Sequence, residues 1–525
     1  MRRDAPIALL SLLAAAGCAP GDDAPRRPNV LVIGIDTLRA DALGCAGAEG
    51  DPSPRIDALA ARGTLFGDVT AAAPWTLPSF ASLFTGLYPE AHGVTLATDR
   101  LAAGHVTLAE TLAEAGYDTA AFTGGGHVGT RNGLQDGFAT YDDESATRKF
   151  DDRVPRALDW LSRRGDRPWF LFVHGYDVHS PYAPHERPAP PSGYTPPDDA
   201  FADRVLVRLE AGDPLDDVDA GEVQVAALTI EHPRQRDFRQ AVFRWSATLR
   251  PTLERQWRRS DDFEAGLAWV RANYQAEVRE ADRALAPLLD ALEASGALDD
   301  TVVVVVSDHG EAFMEHERLD HTRVDEEVAR VPLILRPPGG RDDAWPARVD
   351  RAVRTIDVLP TVLDLCGLAP TAPVQGRSLL PLLRGEPFPD EPVCCFQHNV
   401  GREEPEISIR HLGWKLIVGG VTERRRGKGR LFRVENDPGE TRNLIDRRAE
   451  RAEDLERLLR AIRRRSAAVA AMHDPHAAPL DEAARRELIE LGYLGQLEPS
   501  GGDRDEVDRL DDDDDGADDE PAEDR

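Results

Sequence analysis

Five consecutive valines, Val302 to Val306, run straight into Ser307, Asp308 and His309, and the chain repeats this design twice more. "NVLVIGID" closes on Asp36, and "WFLFVHGYDVH" closes on Asp177 and His179. Unbroken apolar runs of this length mark strands buried on both faces, which is the situation of a parallel sheet covered by helices. "TAAFTG" (Thr119 to Gly124) and "VPLIL" (Val331 to Leu335) read as further strands, and helical periodicity appears at Leu108 to Ala115, Val154 to Arg164, Phe263 to Ala294 and Ile356 to Leu365. The expected fold is therefore α/β, a large mostly parallel sheet with helices on both faces. The carboxyl ends of such strands line one edge, so residues far apart in sequence can meet there. A single Asp at a strand end often caps the next helix. Three ends carrying Asp, with His beside two of them, point instead to a metal site.

The 525 residues divide by composition. Arg2, Arg3 and an apolar stretch from Ile7 to Ala16 precede Gly17 and Cys18, so residues 1–18 read as a lipoprotein-type signal peptide with Cys18 as the lipidated residue. Residues 19–28 form a linker, and 29–390 the catalytic domain. Within that domain the proline-dense and polar region 184–259 is expected to be an insertion over the active-site face. Residues 391–499 read as a small α+β subdomain with helices: "WKLIVGG" and "LFRVENDPGE" suggest an antiparallel hairpin, and Glu450 to Val469 a charged helix. The tail, 500–525, is acidic and expected to be disordered. Between Asp503 and Arg525 it holds 14 acidic and three basic residues, so −11 of the formal −31 sits there. A solvated extension is the simpler account of that tail and calcium sequestration the sharper one. The acidity excludes a nucleic-acid partner, which needs a basic footprint. Apart from Cys18, the cysteines Cys45, Cys366, Cys394 and Cys395 make no disulfide framework and are expected to be buried thiols.

From Pro28 to about Leu444 the chain resembles the sulfatase family of the alkaline phosphatase superfamily. "NVLVIGIDTLRADALG" is similar to the family's first metal strand, "TLPSFASLFTGLYPEAHGV" to its nucleophile segment, "YDVHSPY" to its histidine loop and "TVVVVVSDHGE" to its second metal strand. The resemblance implies that Asp36, Thr76, Asp308 and His309 hold the metal, that Thr76 is the nucleophile, and that His179 and His321 contact the transferred group or the leaving oxygen. It assigns His127 to substrate binding, although the lysine usual two residues before it is replaced by Gly125. His92 and His316 are expected to serve loop structure, Asp177 to orient a neighbour, and Arg39 and Asp41 to serve packing and capping.

Members of the family usually carry Cys or Ser in a C/S-x-P-S-R motif and oxidise that residue to formylglycine. Here Thr76, Pro78, Ser79 and Phe80 occupy the motif, so no formylglycine is expected. Hydrated formylglycine has two hydroxyls, one to take the sulfate and one to expel it. Thr76 has one, so its ester has to be cleared by a second displacement at the transferred atom. His309 replaces the family's usual Asn, and an imidazole suits zinc or manganese better than calcium or magnesium, which stay as alternatives for the one divalent ion. The same set resembles phosphoethanolamine transferases and lipoteichoic acid synthases, which act at phosphorus. The sequence thus implies a metal-dependent hydrolase of sulfate- or phosphate-type esters, with phosphorus esters suited by the chemistry and a small-molecule or glycan ester as substrate. A true sulfuric ester hydrolase and a non-catalytic glycan-binding protein are the alternatives. The chain is expected to be exported and to meet the membrane only through the lipid anchor.

Overall fold

The computed structural model of the protein describes residues 27–471 and 476–477, except for the short stretches 146, 213–214, 216–217, 231–237, 239–240, 243–256, 343, 399–404 and 420–428. The signal segment with Cys18 and the acidic tail lie outside the described residues. Among the described residues, in chain order, the strands are β1 (Asn29–Ile35), β2 (Thr64–Thr70), β3 (Asp99–Arg100), β4 (Asp118–Phe122), β5 (Thr140–Asp142), β6 (Trp169–Gly175), β7 (Thr301–Val306), β8 (Arg330–Arg336), β9 (Arg348–Val349), β10 (Val353–Arg354), β11 (Val393–Gln397), β12 (Glu406–His411), β13 (Trp414–Gly419), β14 (Arg430–Arg433) and β15 (His476–Ala477), the last pairing β3.

Among the described residues, nine of these strands form one sheet in the order β10-β2-β8-β7-β1-β6-β4-β5, with β9 pairing β2. β1 is central and parallel to both neighbours, with Ile33 opposite Val173 of β6 and Val305 of β7. Its alternating side chains build two separate cores. Val30 and Val32 pack with Phe170, Phe172, Val302 and Val304 on one face, under the helices Thr76–Thr85, Leu108–Glu114 and Val358–Leu365. Leu31, Ile33 and Ile35 pack with Leu171, Val173 and Val303 on the other, under Pro54–Ala61, Phe150–Arg163 and Phe263–Ala294. Burial on both faces is what the unbroken apolar runs demand.

"VPLIL" forms β8, which runs antiparallel to both β7 and β2. A parallel return needs a crossover helix. The connection from β7 to β8 is instead a loop with a four-residue helix, Glu326–Ala329, so the chain turns straight back. β2 was not evident in the sequence, because Gly67 and Asp68 interrupt its apolar pattern at an irregularity between Phe66 and Val69.

β11 to β14 make an antiparallel sheet. Ile407, Ile409, Leu416 and Leu431 on one face lie against Leu455, Leu459 and Ile462 of the helix Ala449–Ala470. Cys395, Ile417 and Phe432 on the other pack on Val324 and Ala329, inside the loop that follows β7. The described part of the insertion contributes the helices Asp199–Ala211 and Ala220–Thr229, which share a small core of their own. It borders the His179 loop, where Tyr182 N–H donates to Leu228 O at 2.6 Å. Cys366, Cys394 and Cys395 are buried free thiols as expected, while Cys45 is only half-buried.

Candidate active site

β1 delivers Asp36 to the carboxyl edge of the sheet, and the turn that follows is held in an unusual way. Thr37 has φ of 53°, in the left-handed region that a β-branched residue rarely enters. Its N–H donates to Asp308 Oδ1 at 3.2 Å and its hydroxyl to Val178 O at 2.9 Å, so all three strand ends are tied at this one residue. Backbone strain that surrounding bonds overrule in this manner is characteristic of functional sites.

Asp36, Thr76, Asp308 and His309 are all fully or almost fully buried at this edge. Thr76 opens the helix Thr76–Thr85, and its hydroxyl donates to Asp36 Oδ2 at 3.0 Å. The helix N-terminus places partial positive charge beside any anion bound there. Ser79 Oγ donates to Asp308 O at 2.7 Å, which fixes that helix to the end of β7. Asp308 Oδ1 accepts the N–H groups of Thr37 and His309, so its other oxygen is left for a different task. His309 Nδ1 lies 2.9 Å from Gly310 O and must carry the proton there, leaving Nε2 as a lone pair.

Three of these atoms, Asp36 Oδ1, Asp308 Oδ2 and His309 Nε2, are buried without a hydrogen-bond partner among the described residues. One ligand atom from each residue lies within 4.8 Å of the others. Burial, and after it the like charge of Asp308, push Asp36 well above the usual carboxylate range. A divalent cation among these groups would remove that repulsion and satisfy all three orphaned atoms, so the residues fit the metal that the family resemblance implies. Burial also pushes His309 down to about 4, which keeps it neutral and able to ligate.

His321 stacks over His309 with ring centroids 4.4 Å apart, and His179 lies 5.4 Å from His321. His179 Nδ1 is 2.8 Å from Ser180 O, which directs Nε2 away from the backbone. His127 packs edge-on against Trp75 at 5.3 Å. Burial, and then Arg131 and Arg148, hold it well below its ordinary pKa.

The structure adds a residue that sequence reading left without a role. Glu311 lies 3.3 Å from His321 Nδ1 through Oε1, and its Oε2 accepts the Tyr182 hydroxyl at 2.9 Å. Burial opposes a charge on His321, but Glu311 outweighs it and raises the imidazole above its ordinary value. The signal was present in "SDHGE", where a carboxylate follows the ligand pair.

Residues expected to be structural have structural partners. His92 bonds Ser82 Oγ at 2.9 Å and accepts Val94 N–H, Asp177 accepts Phe150 N–H at the start of its helix, and His316 sits 3.7 Å from Glu327. Arg39 pairs with Asp41 at 2.8 Å and with Glu315 at 3.2 Å. Phe80, at the position of the family's arginine, is buried between Gly34 and Phe172 and is part of the core.

The sulfatase family model matches residues 28–368, and the model of the N-sulphoglucosamine sulphohydrolase C-terminal region matches 314–465. The multifunctional alkaline phosphatase superfamily protein PehA of Trinickia caryophylli is 28% identical over 69% of this chain and 78% of its own. The ulvan-active sulfatase of Formosa agariphila is 27% identical over 81% of this chain and 78% of its own. The phosphonate monoester hydrolase of Agrobacterium radiobacter shares the fold with a TM-score of 0.62 at 22% identity, over 87% of this chain and 99% of that one. With the central sheet, the strand-end carboxylates and a family model that spans most of the chain all in agreement, the protein belongs to the sulfatase family and is an ester hydrolase with its fold.

Proposed function

We propose that this ester hydrolase acts at phosphorus, on phosphate or phosphonate esters, with Thr76 as its nucleophile. The observation that carries the reading is the Thr76 hydroxyl, buried at a helix N-terminus and 3.0 Å from Asp36 Oδ2, where the family's oxidisable residue would stand. Asp36, Asp308, His309 and Thr76 would hold one divalent ion, zinc or manganese by the chemistry of the imidazole ligand. When bound, such an ion supplies Lewis-acid stabilisation of the oxygen charge that develops on the transferred group.

Asp36 Oδ2 is the acceptor that aims the hydroxyl, and Thr76 Oγ1 gives up its proton to solvent and attacks phosphorus as the ester oxygen leaves. His321, whose Nδ1 lies 3.3 Å from Glu311 Oε1, gives its proton to the leaving oxygen. His179 and the helix N-terminus face the negative charge on the transferred group, and His127 lines the substrate side. Water then attacks the same phosphorus and gives a proton to His321, the bond from phosphorus to Thr76 Oγ1 breaks, and that oxygen regains its proton from solvent. Only one hydroxyl is needed for two in-line displacements, whereas elimination of a sulfate ester needs two. The N-terminal segment supports export with lipid attachment at Cys18, and no described helix is long and apolar enough to cross a membrane.

The sulfuric ester reading is favoured by the similarity to the ulvan-active sulfatase. Parallel assays of p-nitrophenyl sulfate, p-nitrophenyl phosphate, bis-p-nitrophenyl phosphate and a p-nitrophenyl phosphonate, with zinc- and manganese-loaded protein, separate the two. Cleavage of phosphorus esters by the unmutated protein and not by Thr76→Ala is the expected result. Thr76-dependent cleavage of the sulfate alone would overturn the proposal.

A further inference from the structure

His174, on β6 beside the end of β1, has no part in the chemistry above. It is fully buried, and aromatic rings enclose it: Phe80 meets it edge-on at 5.0 Å, Tyr176 edge-on at 4.8 Å, and Phe172 lies 6.0 Å away. Neither ring nitrogen has a hydrogen-bond partner among the described residues. A phenylalanine would fill this space without burying two polar atoms, so packing does not account for an imidazole here.

What the ring faces does account for it. Nε2 lies 3.7 Å from Asp36 Oδ2, the oxygen that also accepts the Thr76 hydroxyl. That is about 0.8 Å beyond the ~2.9 Å of a normal N–H···O bond. The ligand cluster itself consists of Asp36, Asp308 and His309, so His174 stands behind the carboxylate rather than in the cluster.

We propose that His174 is a positioning residue of the metal centre, whose Nε2–H holds Asp36 Oδ2 so that Oδ1 is presented to the ion. It also replaces the Thr76 hydroxyl as donor to that oxygen when Thr76 turns to substrate or becomes esterified. The second role accounts for His174 facing the same oxygen as Thr76: without it, no other donor to Oδ2 among the described residues would remain at the moment Thr76 reacts. Groups that orient a ligand from behind in this way set its direction and basicity. The inference rests on the metal site proposed above.

The test is the dissociation constant of Zn²⁺ and of Mn²⁺, measured by competition with a chelator, together with the Tm of the metal-free protein. His174→Phe should keep the metal-free Tm at or above that of the unmutated protein while binding either ion about 10–100-fold more weakly, and His174→Gln, which retains a side-chain N–H, should recover part of the loss. Binding of both ions by His174→Phe within about threefold of the unmutated protein would overturn the proposal. If His174→Phe does not fold, His174→Gln is compared with His174→Met, of which only the former can donate, and equal affinities would likewise overturn it. Unmutated protein that binds neither ion would remove this inference and the metal site together. His174-dependent ion binding without cleavage of any phosphorus ester would support it while removing the phosphorus reading alone.

Discussion

In the proposed mechanism Thr76 concentrates the chemistry of the site in one hydroxyl, and its neighbours define what substitutions should do. Thr76→Ser keeps the oxygen within reach of Asp36 Oδ2, so kcat/KM is expected to stay within about tenfold, whereas Thr76→Ala should lower it by about 10³ or more. Steady-state kinetics on the ester cleaved best checks both. Glu311 lies against His321, the proton donor of the proposed mechanism, so Glu311→Gln should hurt only when the leaving oxygen needs a proton. The expected loss is about 10²-fold for an alkyl ester and small for a p-nitrophenyl ester, read as two kcat/KM ratios on the same preparation. Asp36, Asp308 and His309 were legible in the sequence because each closes an apolar run, and parallel strands bring such ends together. Glu311 and His174 were not. Their significance lies in distances to His321 and to Asp36 Oδ2 that no spacing along the chain encodes, and His174 reads in sequence as one more residue of a strand.

At the scale of the elements, the helix Thr76–Thr85 does two jobs. Its first residue donates to Asp36 in the candidate metal cluster, and Leu77, Phe80, Leu83 and Phe84 join the core on β1 and β6. Gly34 makes this close approach workable: a Cβ there would stand 3.0 Å from the Phe80 ring and 3.1 Å from Phe172. Gly34→Ala is therefore expected to cost about 1–3 kcal/mol by overpacking and to displace Thr76 along with its helix. Denaturant unfolding measures the first effect and ion affinity the second. Restoring the family's arginine should fail for the same reason. Phe80 has no exposure and rests against Phe84, Phe172 and His174, so Phe80→Arg would bury an unpaired cation and is expected to destabilise by more than about 3 kcal/mol rather than gain a substrate contact. The sequence showed that arginine was absent. It could not show that its place had been given to the core, because that depends on a glycine on another element. The direction of β8 was hidden likewise, since a run such as "VPLIL" looks the same in either orientation.

Across the whole molecule, the C-terminal sheet is joined to the active-site loop by buried charge. Lys415 on β13 lies 3.0 Å from Glu326 and 2.9 Å from Glu440, and Glu326 also pairs with Arg410 at 3.4 Å. Glu440 Oε2 in turn accepts the N–H of Glu326, at the end of the loop that carries His309, Glu311 and His321. One ammonium cannot fully compensate both carboxylates. Burial, against the pull of Lys415, raises Glu440 to about 7, while Lys415 and Arg410 overcome burial at Glu326 and lower it to about 2. The signs are opposite. A carboxyl with a raised pKa binds its proton more tightly folded than unfolded, so the stability it contributes is present below its unfolded value near 4.5 and is lost as pH rises towards 7. Glu326 contributes above 4.5 and loses its share only as pH falls towards 2. Of these two carboxyls, Glu440 is the one whose contribution changes between pH 5 and 8, and its share of the metal-free stability, measured as Tm with chelator present, should fall across that range. Glu440→Gln keeps the amide-accepting oxygen and removes the titration, so the same curve should be flatter. A slope unchanged by Glu440→Gln would place the pH sensitivity outside Glu440 and leave the C-terminal sheet joined to the loop by the Lys415–Glu326 and Arg430–Asp325 pairs and by the apolar contact of Ile417 and Phe432 with Val324 and Ala329.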